Sequence, residues 1–283
     1  MPIESQGNLV SGSSRWTWQK PLRAARRVLG AASTAAASRV LGAAVGGAVG
    51  GMPGVALGGA AGSLAASTLQ RVGKEIDARL LSPREQQRVG EVFRLAVEQI
   101  RQRLERGDQL RSDGFFKADP AGRRPAAEEL LEGILLVTQR EYQERKLPYL
   151  ANLFANLAFD TNIPPTYAVM LVKIAEDLTF RELILLELFS RPHRIALRSG
   201  DYRGSPSLQH GLIELMYESL YLHHRGYVAM PGDTMLGPSD LNPEKMQTQG
   251  AGLVLRELMG LSALWERDAD EVSEVGRLLS RDT

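Results

Sequence analysis

Residues 82–105 read SPREQQRVGEVFRLAVEQIRQRLE. Ser82-Pro83-Arg84-Glu85 is a capping box with proline at the first helical position, in which hydroxyl and carboxylate satisfy backbone N–H groups that no helical carbonyl reaches. Val89, Val92, Phe93, Ala96, Val97, Ile100 and Leu104 then recur at three- and four-residue spacing, an apolar stripe with Arg and Glu opposite. A long amphipathic helix is predicted here, and with it a helical body that starts at Ser82 and folds without the residues before it.

Toward the C-terminus the same logic continues. Gly107 to Arg124 reads as a polar loop, and Pro125 opens a helix with Leu130, Leu131, Ile134, Leu135 and Tyr142 on one side. Leu147-Pro148 begins a shorter helix carrying Leu150, Leu153, Phe154 and Leu157; Pro164-Pro165 begins the next. Thr179-Phe180-Arg181-Glu182 repeats the capping box before an apolar run to Phe189. Beyond residue 190 the predicted order is a helix over Ser205–His224, a short hairpin or wing over Gly226–Leu236, then helices over Thr248–Leu261 and Glu271–Leu279. That order predicts a small winged-helix-like interaction module at 191–283, set beside a helical domain at 82–190.

Toward the N-terminus the chain changes character. From Val40 to Gln70 there is no charged residue, and Gly42, Gly46, Gly50, Gly54, Gly58 and Gly62 fall in a four-residue register. Residues four apart share a helix face, so this glycine zipper presents a groove free of side chains into which another helix can pack. Each glycine costs a helix about 1 kcal/mol relative to alanine. Close packing in or on a membrane offsets that cost, because unsatisfied backbone is expensive there. A flexible Gly/Ala linker would explain the composition but not the period. A single helix over Val40–Gln70 would be roughly 46 Å long at 1.5 Å per residue, against a hydrocarbon core of ~30 Å. Pro53 is therefore the expected hinge of a membrane-active hairpin within 21–81, with helices over Pro21–Gly51 and Gly54–Leu81.

Residues 1–20 read as a mobile basic tail. Trp16 and Trp18 stand with Lys20, Arg23, Arg26 and Arg27, either a lipid-headgroup anchor or a solvated basic helix with two core tryptophans. Residues 1–74 carry eight basic residues against Glu4 alone, which leaves 26 basic and 32 acidic residues in 75–283. A basic front on an acidic body points to an anionic partner, here membrane lipid, for the front alone. From Glu176 to Thr283 there are 11 basic and 17 acidic residues, which opposes phosphate binding, so no nucleic-acid partner is expected. The tract Val40–Gln70 is rich in Ala and Gly and poor in Leu, and Arg39 lies within the first helix, so insertion would be conditional on self-association.

Chemistry is harder to find. The chain of 283 residues contains no cysteine, which removes disulfides, thiolate metal sites and a cysteine nucleophile together. His193, His210, His223 and His224 match no zinc-ligand spacing, and His223-His224-Arg225-Gly226 reads as a helix C-terminus. Glu128, Glu129 and Glu132 sit at a helix start, where they complement the dipole. No enzyme activity, cofactor or metal is expected.

The stretches Glu141-Tyr142-Gln143-Glu144-Arg145-Lys146, Leu153-Phe154-Ala155-Asn156-Leu157 and Leu178-Thr179-Phe180-Arg181-Glu182-Leu183 resemble the helical middle of bacterial abortive-infection alpha-type phage-defence proteins. The resemblance implies a defence role in which an infected cell is stopped or killed. The zipper, separately, resembles those of membrane-permeabilising toxins. The expectation is a pore-forming effector in the bacterial cytoplasm that associates with the inner membrane, self-assembles, and binds a regulatory protein through its C-terminal part. The alternatives are a non-lytic membrane-anchored adaptor and a soluble winged-helix regulator.

Overall fold

The computed structural model describes residues 60–191, 193–205 and 207–280. They are mainly helical, with ten α-helices and one two-stranded antiparallel ladder among the described residues. The helices are α1 (Ala60–Asp77), α2 (Pro83–Glu105), α3 (Ala126–Arg140), α4 (Leu147–Leu157), α5 (Pro165–Asp177), α6 (Phe180–Ser190), α7 (His210–His224), α8 (Gly250–Leu258), α9 (Leu264–Arg267) and α10 (Ala269–Leu278).

Helix α2 begins as its sequence dictates. Ser82 Oγ accepts from Glu85 N at 3.4 Å, and Ser82 N donates to Glu85 Oε2 at 2.7 Å. Val89, Val92, Phe93, Ala96, Val97 and Ile100 are all buried and pack on α3 and α4. Fully burying a Val, Ile or Phe side chain stabilises by roughly 1.5–3 kcal/mol, so this stripe outweighs the helix's exposed ion pairs as a source of stability. The predicted polar loop after it is anchored through its first half. The Arg111 guanidinium is buried and donates to the Leu157 and Ile163 carbonyls at 3.2 and 3.0 Å, and Phe115 and Phe116 enter the core.

The helix over α3 stops at Arg140, because Glu141 turns to extended backbone (ψ 120°) and its carboxylate pairs with the buried Lys146 ammonium at 2.5 Å. Tyr142, expected on the apolar face of that helix, is 79% exposed instead. Helix α6 opens with its capping box intact, Thr179 N to Glu182 Oε2 at 2.6 Å. It is buried nearly all round, and α7, α8, α10 and β2 pack against it. One hydrophobic cluster runs from Ala65 to Leu279, so the packing crosses residue 190 without a break in the core.

In the last third, α7 starts at His210, five residues later than predicted, and ends at His224 with Gly226 in the left-handed region (φ 74°). The expected hairpin within Gly226–Leu236 is not the pairing that forms. Strand β1 (Val228–Ala229) pairs with β2 (Gln247–Thr248), Val228 opposite Thr248. The excursion between them contains Pro231, Gly232, Pro238 and Pro243, which favour turns over a ladder, and is pinned by buried Met230, Met235, Leu241 and Met246.

Candidate functional site: the docked helix and its ion-pair clasp

Of the residues that carry the zipper expectation, Gly62 lies in α1. Gly42, Gly46, Gly50, Gly54 and Gly58 lie outside the described residues, as do Pro53, expected as a hinge, and Trp16, Trp18, Lys20, Arg23, Arg26 and Arg27, expected at lipid headgroups. The expected second hairpin helix corresponds in its described part to α1, which ends at Asp77 and not at Leu81; Ala78 and Arg79 close it through bonds to the Lys74 and Ile76 carbonyls. Leu80 is fully exposed.

Helix α1 is amphipathic. Ala65, Leu69, Val72 and Ile76 recur at the spacing of one face and are all buried, together with Thr68 and Gly73. The helix lays this face chiefly on α3. Leu69, Val72 and Ile76 together give a gross stabilisation of roughly 5–9 kcal/mol. No helix among the described residues is long and apolar enough to cross a membrane.

A network of three guanidinium and three carboxylate groups clasps this contact. Arg71 Nε donates to Glu128 Oε1 at 2.6 Å, and Arg79 pairs with Glu132. Arg124, just before α3, bridges both sides: it reaches Glu75 of α1 at 3.0 Å, Glu132 at 2.7 Å and Glu128 at 3.3 Å. The Glu128 side chain is only 5% exposed, whereas Arg71 is 51% exposed. Burial pulls the Glu132 carboxyl upward, but Arg124 and Arg79 outweigh it and hold the group below the ordinary carboxylate range. The same carboxylates raise Arg124, led by Glu132. Half-exposed pairs contribute about 0.2–1 kcal/mol each, so the apolar face supplies the binding and the charges fix its register. The acidic cluster at the start of α3 thus acts on another helix as well as on the dipole of its own.

Other buried polar groups join elements through hydrogen bonds and ion pairs. Glu187, completely buried within α6, accepts from Arg256 Nε and Trp265 Nε1, each at 2.8 Å, and pairs with Arg191 at 3.1 Å. Tyr149 Oη donates to Asp268 at 2.7 Å, and burial raises the pKa of both. Among the described residues no group of three or more His, Asp or Glu side chains could hold a metal ion. His193, His210 and His224 are exposed, and burial lowers the pKa of His223 beside His224.

No protein-family model, curated protein or solved structure matches this chain.

Proposed function

We propose that this chain is a membrane-disrupting, pore-forming effector of bacterial antiphage defence, which self-assembles through its glycine zipper and causes cell death or growth arrest. The observation that carries the reading is the four-residue register Gly42, Gly46, Gly50, Gly54, Gly58, Gly62 inside a stretch without charge. Three glycines at four-residue spacing on each side of Pro53 weaken a helix in water by about 1 kcal/mol each and are useful where backbones must approach closely. The basic front, with Trp16, Trp18, Lys20, Arg23, Arg26 and Arg27, suits an anionic inner-membrane surface, and Pro53 suits a hairpin whose basic outer ends stay on the cytoplasmic side. The resemblance of the middle of the chain to abortive-infection alpha-type proteins gives the defence setting.

The acidic C-terminal part is proposed as a winged-helix-like module that binds a regulatory protein and not duplex DNA, since its excess of carboxylates repels phosphate. The order α7, β1, β2, α8 supports that module only as an arrangement of helix, paired strands and helix. A second reading, a non-lytic membrane-anchored adaptor, is favoured by one observation: α1 buries its apolar face on the body, as an anchor's stem would. Expression in bacteria separates the two. The effector collapses the membrane potential of expressing cells; an adaptor fractionates with membranes and leaves the potential intact.

A further inference from the structure

Helix α1 continues the zipper into the described structure. Gly62, Ala66 and Gly73 lie at i, i+4 and i+11, a single line on a helix of 3.6 residues per turn, and Gly73 is buried. Leu69, Val72 and Ile76 flank that line and are buried too. A second helix cannot reach Gly73, Leu69, Val72 and Ile76 while the body covers them, so docking on the body and packing of another copy against this part of α1 exclude one another.

We propose that the docking of α1 on α3 is an autoinhibitory latch, in which the buried face of α1, held in register by the Arg71–Glu128 and Arg79–Glu132 pairs and by Arg124 between them, is withheld from other copies of the chain. The proposal rests on the zipper reading above and adds its off state. Two features suit a latch. The contact is made chiefly with one helix, so it opens without dismantling the packing of α2 on α3 and α4 or of α6 on α7, α8 and α10. Its cations are also reachable: the side chains of Arg71 and Arg124 are 51% and 40% exposed, so competing charges can replace their partners.

The test uses the full chain, which has no cysteine of its own. Arg71→Cys with Glu128→Cys, joined by a reducible bis-maleimide, locks the latch; Glu128→Lys with Glu132→Lys opens it. The readout is dye release from phosphatidylglycerol vesicles, with trypsin cleavage after Arg71 and Lys74 reporting the undocked helix and a thermal melt reporting the fold. The locked protein is expected to be silent until the linker is reduced. The charge-reversed protein is expected to gain about tenfold in both cleavage and leakage, as a shift of a two-state population requires. Equal leakage from locked and reduced protein overturns the latch and leaves the pore reading standing. A charge-reversed protein that is folded and cleaved at α1 yet releases no more dye than the wild type overturns the latch, and absence of release from every form overturns the pore reading as well.

Discussion

Asn156 of α4 donates its side-chain amide to the backbone carbonyl of Leu258, the last residue of α8, at 2.7 Å. One turn earlier on the same face, Asn152 donates to the Met259 carbonyl, also at 2.7 Å. Two asparagines at i and i+4 thus cap the C-terminus of a helix about a hundred residues away and couple the two regions of the chain. Gly260, left-handed at φ 63°, completes the cap; a Cβ there would meet the Asn152 amide at 2.9 Å.

Removal of this cap is expected to destabilise the whole fold. Asn156→Ala and Asn152→Ala each leave a helix-end carbonyl unpaired, at a cost of about 1–3 kcal/mol. Gly260→Ala adds left-handed strain to a tight contact. Chemical denaturation of the three variants checks this, with a single transition expected throughout and no separate melting of residues beyond 190.

Glu187 anchors a buried knot of Arg256, Arg191 and Trp265. Glu187→Ala is expected to destabilise by about 3–5 kcal/mol, because it leaves the Arg256 guanidinium largely buried without its counter-charge. A double variant, Glu187→Leu with Arg256→Met, should recover much of the loss. Equal melting temperatures for the single and double variants would contradict the pairing.

The fold is expected to lose stability in acid, because some of its carboxylates are held low. Hydrogen bonds from Ser82 and Gln139 hold Glu85 at about 2, and the Arg203 guanidinium with the Leu236 and Gly237 N–H groups holds Asp240 at about 2. Their folded pKa lies below the unfolded values of 4.5 and 3.8, so their contribution is complete above those values and is lost as pH falls toward about 2. Asp268 and Glu182 act in the opposite sense: burial raises them, so their protonation on acidification favours the fold. Melting temperature should fall below pH 4.5, and Glu85→Gln should flatten part of that fall.

Much of this architecture is legible residue by residue. Both capping boxes, at Ser82 and Thr179, sit where the pattern puts them, and the α2 stripe from Val89 to Ile100 is buried throughout. Local rules failed where a distant partner decides. Tyr142 fits the helical period, but Glu141 leaves the helix to pair with Lys146. The strand Val228–Ala229 takes its partner across a proline-rich excursion that offers no period to read. The clasp is hidden for the same reason: Arg71 and Glu128 are 57 residues apart, and charges in a sequence do not announce their partners.

The sequence assigns α1 to the membrane-active front, whereas its apolar face is packed on the body. A chain truncated at Ser82 therefore loses Ala65, Leu69, Val72 and Ile76 from its core. Residues 82–283 are expected to remain helical, held by the α2–α3–α4 packing. They should melt at a lower temperature than the full chain and expose apolar surface that binds a hydrophobic dye, a combination that circular dichroism and dye fluorescence read directly. Complete unfolding would show α1 to be essential to the body.

The central claim, that glycines in register assemble a membrane-breaching structure, is tested most directly by replacing Gly46, Gly50 and Gly58 with Leu together and measuring dye leakage from anionic liposomes. Leucine favours lipid more than glycine does, so the variant holds the membrane at least as well, yet its side chains keep the backbones apart. The account predicts that the variant still sediments with the liposomes and no longer releases dye. Equal leakage from the variant and the wild type would contradict it.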